Sequence, residues 1–158
     1  MSHKTYWFAA AVFPKLESMG VALEALRGHV LPGQLLIIAD RGNEVSGMLD
    51  PHIASGVAIA TLEDRDDSSW GYALRSGGKL SCGLRELLNG AKADAAPSST
   101  TPKARTALYV ELRRDARDGS NILVANVDNP GEQLSVARIF LRQNAERVLM
   151  HEIAARAC

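Results

Sequence analysis

Residues Asn121–Ile153 read NILVANV, then DNPGEQLSVARIFLRQNAE, then RVLMHEI. That order of strand, helix and strand decides the fold class. Ile122, Leu123, Val124 and Val127 form a short run rich in β-branched residues, suited to a strand buried on both faces. Asp128 and Asn129 carry oxygens able to cap a helix, and Pro130 follows where its fixed φ and missing N–H cost least. Leu134, Ala137, Arg138 and Leu141 keep i, i+3, i+4, i+7 spacing, which predicts a helix with Arg138 at the flank of its apolar face. Arg147–Ile153 supplies a second short apolar run.

The N-terminal part repeats this hydrophobic pattern. Tyr6–Phe13 (YWFAAAVF) predicts a strand, and Pro14 opens a helix carried by Leu16, Met19, Leu23, Leu26 and Val30. Gly28 marks its end, because a left-handed C-cap costs glycine little. Pro32-Gly33 predicts a turn, and Gln34–Ala39 (QLLIIA) a second buried strand. Pro14 and Pro130 thus hold equivalent places in two strand–helix–strand units. Two such units in one small chain predict an α+β fold, a ferredoxin-like split βαβ sandwich with both helices on one face of the sheet. A doubly wound parallel fold is the competitor, but it needs strands and helices alternating through the middle. The expected organisation is a single domain over 1–158. A first unit covers 6–41, a variable insertion 42–105 and the second half 106–158.

The insertion is harder to read. Ile53–Leu62 (IASGVAIATL) fits either a short helix or a strand. Glu63–Asp67 predicts a solvated acidic turn, and Trp70 and Tyr72 flank Gly71 as candidate anchors of a lid. Lys79–Asn89 predicts a helix with Leu80, Leu84, Leu87 and Leu88 on one side and Gly90 past its end. Residues 93–101 (ADAAPSSTT) have the composition of a mobile linker. Residues 102–118 fit two states. Thr101-Pro102 and Gly119 are helical start and stop signals, whereas Leu108, Val110 and Leu112 alternate as in a strand. The charged run RRDARD tips the reading toward helix.

Composition narrows the function classes. Eighteen basic and eighteen acidic residues give zero formal net charge, which argues against general nucleic-acid binding, where a basic surplus meets phosphate. Two cysteines, Cys82 and Cys158, are too few for a disulfide framework or a four-thiolate metal site, so a cytoplasmic setting is expected. Lys4 and the eight apolar residues after it have the outline of a short signal peptide; Pro14-Lys15 ends the run, and a strand is the expectation. No run approaches the ~20 apolar residues that span a bilayer.

The segment YVELRRDARDG (109–119), followed by Ile122–Val127, a helix and Glu146-Arg147-Val148, resembles the C-terminal half of a bacterial general-stress-protein domain of the heat-induced YflT type. The stretch AAAVFPKLESMGVALEALRGHVLPGQLLIIA is similar to that family's opening strand, helix and strand. Together these cover roughly half of the chain. Many relatives carry a glycine-rich apolar hairpin between the halves. Here Asp64, Arg65, Asp66 and Asp67 occupy the corresponding region, which opposes membrane insertion. The resemblance implies a fold and a stress-associated setting, and it brings no catalytic residues.

The chemical candidates are few. Gly77-Gly78-Lys79 lacks the glycine and hydroxyl of a phosphate loop, since Ala73 and Leu80 stand at those places. Cys82 near a helix start would be a catalytic thiol only with a histidine base supplied by the tertiary fold; an ordinary small buried residue is the stronger reading. His3, His29, His52 and His151 show no metal-ligand spacing. Tyr6-Trp7-Phe8 raises base stacking on a sheet, but a core or interface role is the stronger reading. Arg113, Arg114 and Arg117 interleave with Glu111, Asp115 and Asp118, the pattern of a solvated helix face. No catalytic residue, metal ligand or cofactor is assigned. A non-enzymatic stress-associated interaction module, self-associating as a homodimer or binding a protein partner, is the first expectation. A small-molecule sensor with a polar pocket beside Phe13–Lys15 or Val127–Gly131 is the second. The third is an enzyme whose cleft gathers Cys82, a histidine and a carboxylate.

Overall fold

The computed structural model describes residues 3–40, 56–63, 71–74, 80–93, 111–112 and 114–156. Strand β1 (His3–Phe13) leads through Pro14-Lys15 into helix α1 (Leu16–Leu26), and a 3-10 turn (Pro32–Gln34) leads into β2 (Leu35–Ala39). Strands β3 (Ala58–Glu63) and β4 (Gly71–Leu74) precede helix α2 (Cys82–Ala93). Residues 111, 112 and 114–117 are helical, and Gly119 follows at φ +93°. Strand β5 (Asn121–Val127), helix α3 (Pro130–Arg142) and strand β6 (Arg147–Arg156) complete the described chain.

The fold is α+β, with one mixed six-stranded sheet in the order β4-β3-β2-β5-β1-β6. Four of its five pairings are antiparallel, and only β2 and β3 run parallel. The doubly wound parallel alternative is therefore excluded. β1 lies between β5 and β6, with Trp7 opposite Val127 and Glu152. The apolar run after Lys4 is thus a buried strand of the sheet.

Both sheet faces are covered. On one, Met19, Leu23 and Leu26 of α1 and Val136 and Phe140 of α3 pack on Phe13, Ile37 and Leu123. On the other, Leu84, Leu87 and Leu88 of α2, with Leu112 and Ala116, pack on Phe8, Leu36 and Val124. Placing α1 and α3 together was correct, but the two-layer expectation needs revision, because the insertion supplies a helix for the opposite face. The reason is visible in β2, whose five residues are all buried: a strand apolar on both sides demands cover on both.

Several local expectations change. Ile53–Leu62 resolves to strand over its described part, beginning at Ala58. Gly71 and Tyr72 belong to β4. Gly90 does not stop α2, which continues to Ala93. The described part of 102–118 is helical, and its expected start at Thr101-Pro102 lies outside the described residues. So do Asp64–Asp67, Trp70, the Gly77-Gly78-Lys79 run and the linker beyond Ala93.

Helix α3 shows the most instructive shift. Its buried residues are Gln133, Val136, Ala137 and Phe140, whereas Leu134 and Leu141 are 44% and 60% exposed. The apolar spacing placed the inward face about one residue too far along. Gln133 explains it: its Nε2 donates to Phe8 O at 2.8 Å and His151 O at 3.1 Å, fixing a polar residue at the centre of the buried face. The helix start is as expected, with Asn129 Oδ1 accepting the Glu132 N–H at 2.9 Å and Glu132 Oε2 accepting the Asp128 N–H at 3.2 Å. Asn129→Ala should cost about 1 kcal/mol in a urea melt, and Asn129→Gly only a few tenths.

Candidate functional site

Two features stand out: a polar hub at the end of β5, and the outer edge of β6. The hub is built around Asn126, which is 6% exposed and is the polar residue among the buried positions 122–127 of β5. Strand alternation points its side chain to the α2 face, and there its Nδ2 donates to Ser81 Oγ at 3.2 Å. Ser81 caps α2, accepting the Leu84 N–H at 3.4 Å, and its own N–H donates to Gly33 O at 2.7 Å. Gln34 Nε2 donates to Asn126 O at 3.1 Å, while Gln34 Oε1 accepts the Leu31 N–H at 3.1 Å. Gly83 sits against Asn126 and the Tyr6 ring at a separation no side chain would fit.

The hub joins β1, β2, β5 and the start of α2, and the start of α3 follows directly from β5. Two helix N-termini therefore open at the same end of β5, an arrangement that favours negative charge. Asn129 and Glu132 cap α3, and Ser81 caps α2. These oxygens meet backbone donors that an anionic ligand would otherwise use. The expected sensor pocket beside Val127–Gly131 thus coincides with a self-capped turn. Near Phe13–Lys15, Phe13 packs edge-on against Phe140 with ring centroids 6.0 Å apart, and the Glu146 N–H donates to Val12 O at 2.8 Å. Both turns serve the joints between layers.

The other sequence candidates are dispersed. Cys82 opens α2 and is disulfide-bonded, so its sulfur is not a thiolate nucleophile; it is half-buried, not the simple buried residue expected. His29 is exposed in the turn after α1, His151 is half-buried on β6, and His3 lies at the start of β1. His52 falls outside the described residues. Among the described residues, no group of three or more His, Cys, Asp and Glu gathers at metal-holding distance. Tyr6 and Phe8 are buried in the α2-side core, so those rings form no open stacking platform. Arg117 pairs with Asp40 at 3.2 Å, and Asp115 pairs with Arg147. These charges tie the helical segment to the ends of β2 and β6, where the sequence pattern suggested a purely solvated face. Arg113 lies outside the described residues.

The second feature is β6 itself. It pairs with β1 along ten register positions and has no described strand on its other side. Val148 packs into the core beneath α1 and α3, so Met150, two residues on, faces the same side and is 51% exposed. Exposed Leu134 and Leu141 of α3 lie over that side too, since α3 packs on β1 and β6. Sequence reading missed this surface because it assigned both leucines to the core. Asn126 was missed as well, although an amide inside the apolar run 122–127 is a signal that a partner must exist.

Compared with known proteins, the chain matches no protein-family model, no curated protein and no solved structure. No helix among the described residues is long and apolar enough to cross a membrane.

Proposed function

We propose that this chain is a non-enzymatic interaction module that self-associates as a homodimer through the outer edge of β6 and the exposed side of α3. The carrying observation is β6, a ten-residue strand hydrogen-bonded on one described side only, with Met150, Leu134 and Leu141 exposed on the α3 side. A long open edge offers unpaired N–H and C=O groups to another strand, and nearby apolar side chains add burial to that pairing. The disulfide at Cys82 supports the non-enzymatic reading by occupying the best nucleophile candidate. Within the fold, β6-β1-β5-β2 forms a four-stranded antiparallel core with α1 and α3 on one face, which supports a ferredoxin-like core. On that reading, β3, β4 and α2 are additions from the insertion. The stress-associated setting rests on the YflT-type resemblance. A cytoplasmic setting rests on the low cysteine count and is opposed by the disulfide.

Native mass spectrometry and light scattering across micromolar concentrations test the assembly. A dimer is expected, with Met150→Lys raising its dissociation constant at least about tenfold by placing a charge beside the paired edge. A monomer at every concentration would overturn self-association. A stoichiometric small molecule retained on the protein would favour the sensor reading instead.

A further inference from the structure

We infer that the dimer proposed above, on which this reading rests, is a continuous sheet in which β6 pairs antiparallel with β6 of a second copy. The pairing groups are the N–H and C=O of Val148, Met150, Glu152 and Ala154, and the two-fold axis passes at His151. Main-chain direction alternates along a strand, so each residue of β6 addresses either β1 or the outer edge. Three sets of bonds decide which. Val12 lies opposite Arg147, and its carbonyl accepts the Glu146 N–H at 2.8 Å, so Val12 turns its polar groups toward β6. Phe8, four residues earlier on β1, does the same. Gln133 Nε2 reaches both Phe8 O at 2.8 Å and His151 O at 3.1 Å, and these two residues are directly opposed. One donor can bridge two opposed carbonyls only where both point into the gap between their strands. Asn126, opposite Phe8 on β5, directs its carbonyl away from β1, to Gln34 Nε2 at 3.1 Å. Arg147, Leu149, His151 and Ile153 therefore bond to β1, and the even-numbered residues between them face outward.

A second copy fits this edge for a geometric reason. Gln133 holds α3 over the line between β1 and β6. With strands about 4.8 Å apart, a two-fold axis beside β6 puts the two α3 axes about 10 Å apart, which is a helix-packing distance. Ile139 packs in the cluster that α1 builds, so Leu134 and Leu141 occupy the other flank of α3, turned to the edge. Gln133 is level with His151, so an axis there sets Leu134 beside the partner's Leu134. The same register pairs Val148 with Ala154 and Met150 with Glu152, giving about eight main-chain bonds, and it sets Leu149 opposite Ile153 on the α2 face. An axis at Glu152 would oppose two carboxylates. An axis at Met150 would set Glu152 against Val148, which packs beneath the helices.

Amide exchange of the full chain, read residue by residue by NMR, tests the pairing. The N–H groups of Val148, Glu152 and Ala154 should exchange at least about tenfold more slowly in the dimer than in the monomer reached by dilution or by Met150→Lys. Those of Leu149, His151 and Ile153 should be slow in both states. Glu152→Pro removes an outward N–H and should raise the dimer's dissociation constant at least about tenfold, with little change in the monomer's urea midpoint. His151→Pro removes a bond to β1 and should destabilise the monomer itself. In a dimer of one isotopically labelled and one unlabelled copy, the His151 Hα should show a nuclear Overhauser contact to the partner's His151 Hα. A dimer whose Glu152 and Ala154 amides exchange as fast as in the monomer would overturn the strand pairing while leaving self-association standing through another surface. A wild-type chain that stays monomeric would overturn both. Fast exchange at Leu149 and His151 in the monomer would overturn the assignment of inward and outward residues. A His151 contact to Leu149 or Ile153 of the partner in place of His151 would overturn the register.

Discussion

Gly83→Ala is expected to destabilise the fold by about 3 kcal/mol, a large penalty for one methyl group. A β-carbon there would overlap Asn126 Nδ2 and stand 2.6 Å from its Cγ and 2.8 Å from Tyr6 Cδ1. Neither neighbour is free to yield. Asn126 is held to Ser81, and the Tyr6 ring is buried under α2. Moving the amide breaks its bond to Ser81 and leaves polar atoms unmet in a dry core, while moving α2 opens the packing of Leu84, Leu87 and Leu88. A urea melt of Gly83→Ala, Asn126→Ala and the double variant tests the mechanism. Asn126→Ala alone should cost about 1–3 kcal/mol through Ser81's lost partner. In the double variant the overlap with the amide is gone and only the Tyr6 contact remains, so the two losses should be sub-additive. Additive losses would mean that the two residues do not share a space.

Phe140→Ala is expected to cost about 4 kcal/mol, with a fall in Tm of roughly 10 °C for a chain of this size. Phe140 is fully buried at the junction of α3, α1 and the sheet, edge-on to Phe13. Its truncation removes apolar area and leaves a cavity that a helix tethered by Gln133 cannot close by sliding. The paired variant Phe13→Ala/Phe140→Ala should show a coupling of about 0.5–1.5 kcal/mol beyond simple area loss. By contrast, Leu141→Ala on the outer side of the same helix should stay within about 0.5 kcal/mol in the monomer. Equal losses at 140 and 141 would contradict the assigned face.

That contrast measures how far the sequence could be read. The strand–helix–strand units were legible because their signals are local. Asp128, Asn129 and Pro130 signal a helix start within three residues, and QLLIIA carries its burial in its own composition. Gly28 and Gly119 indeed take positive φ, at +89° and +93°, where the sequence placed helix stops. The inward face of α3 was not legible, because a hydropathy period counts Gln133 as outward. Only the main-chain oxygens of Phe8 and His151, remote in sequence, make its burial favourable. The hub was hidden for the same reason. Ser81, Asn126 and Gln34 belong to separate segments and acquire meaning only when their atoms meet.

By itself, then, the sequence determined the two βαβ units and where their helices begin. These depend on backbone preference and capping within a turn or two of chain. Tertiary structure alone decided that α2 covers the second face, that β3 and β4 extend the sheet, and that Leu134 and Leu141 look outward. Each of those outcomes balances desolvation of one group against bonds and packing from a distant one, and that balance exists only once the distant group has arrived.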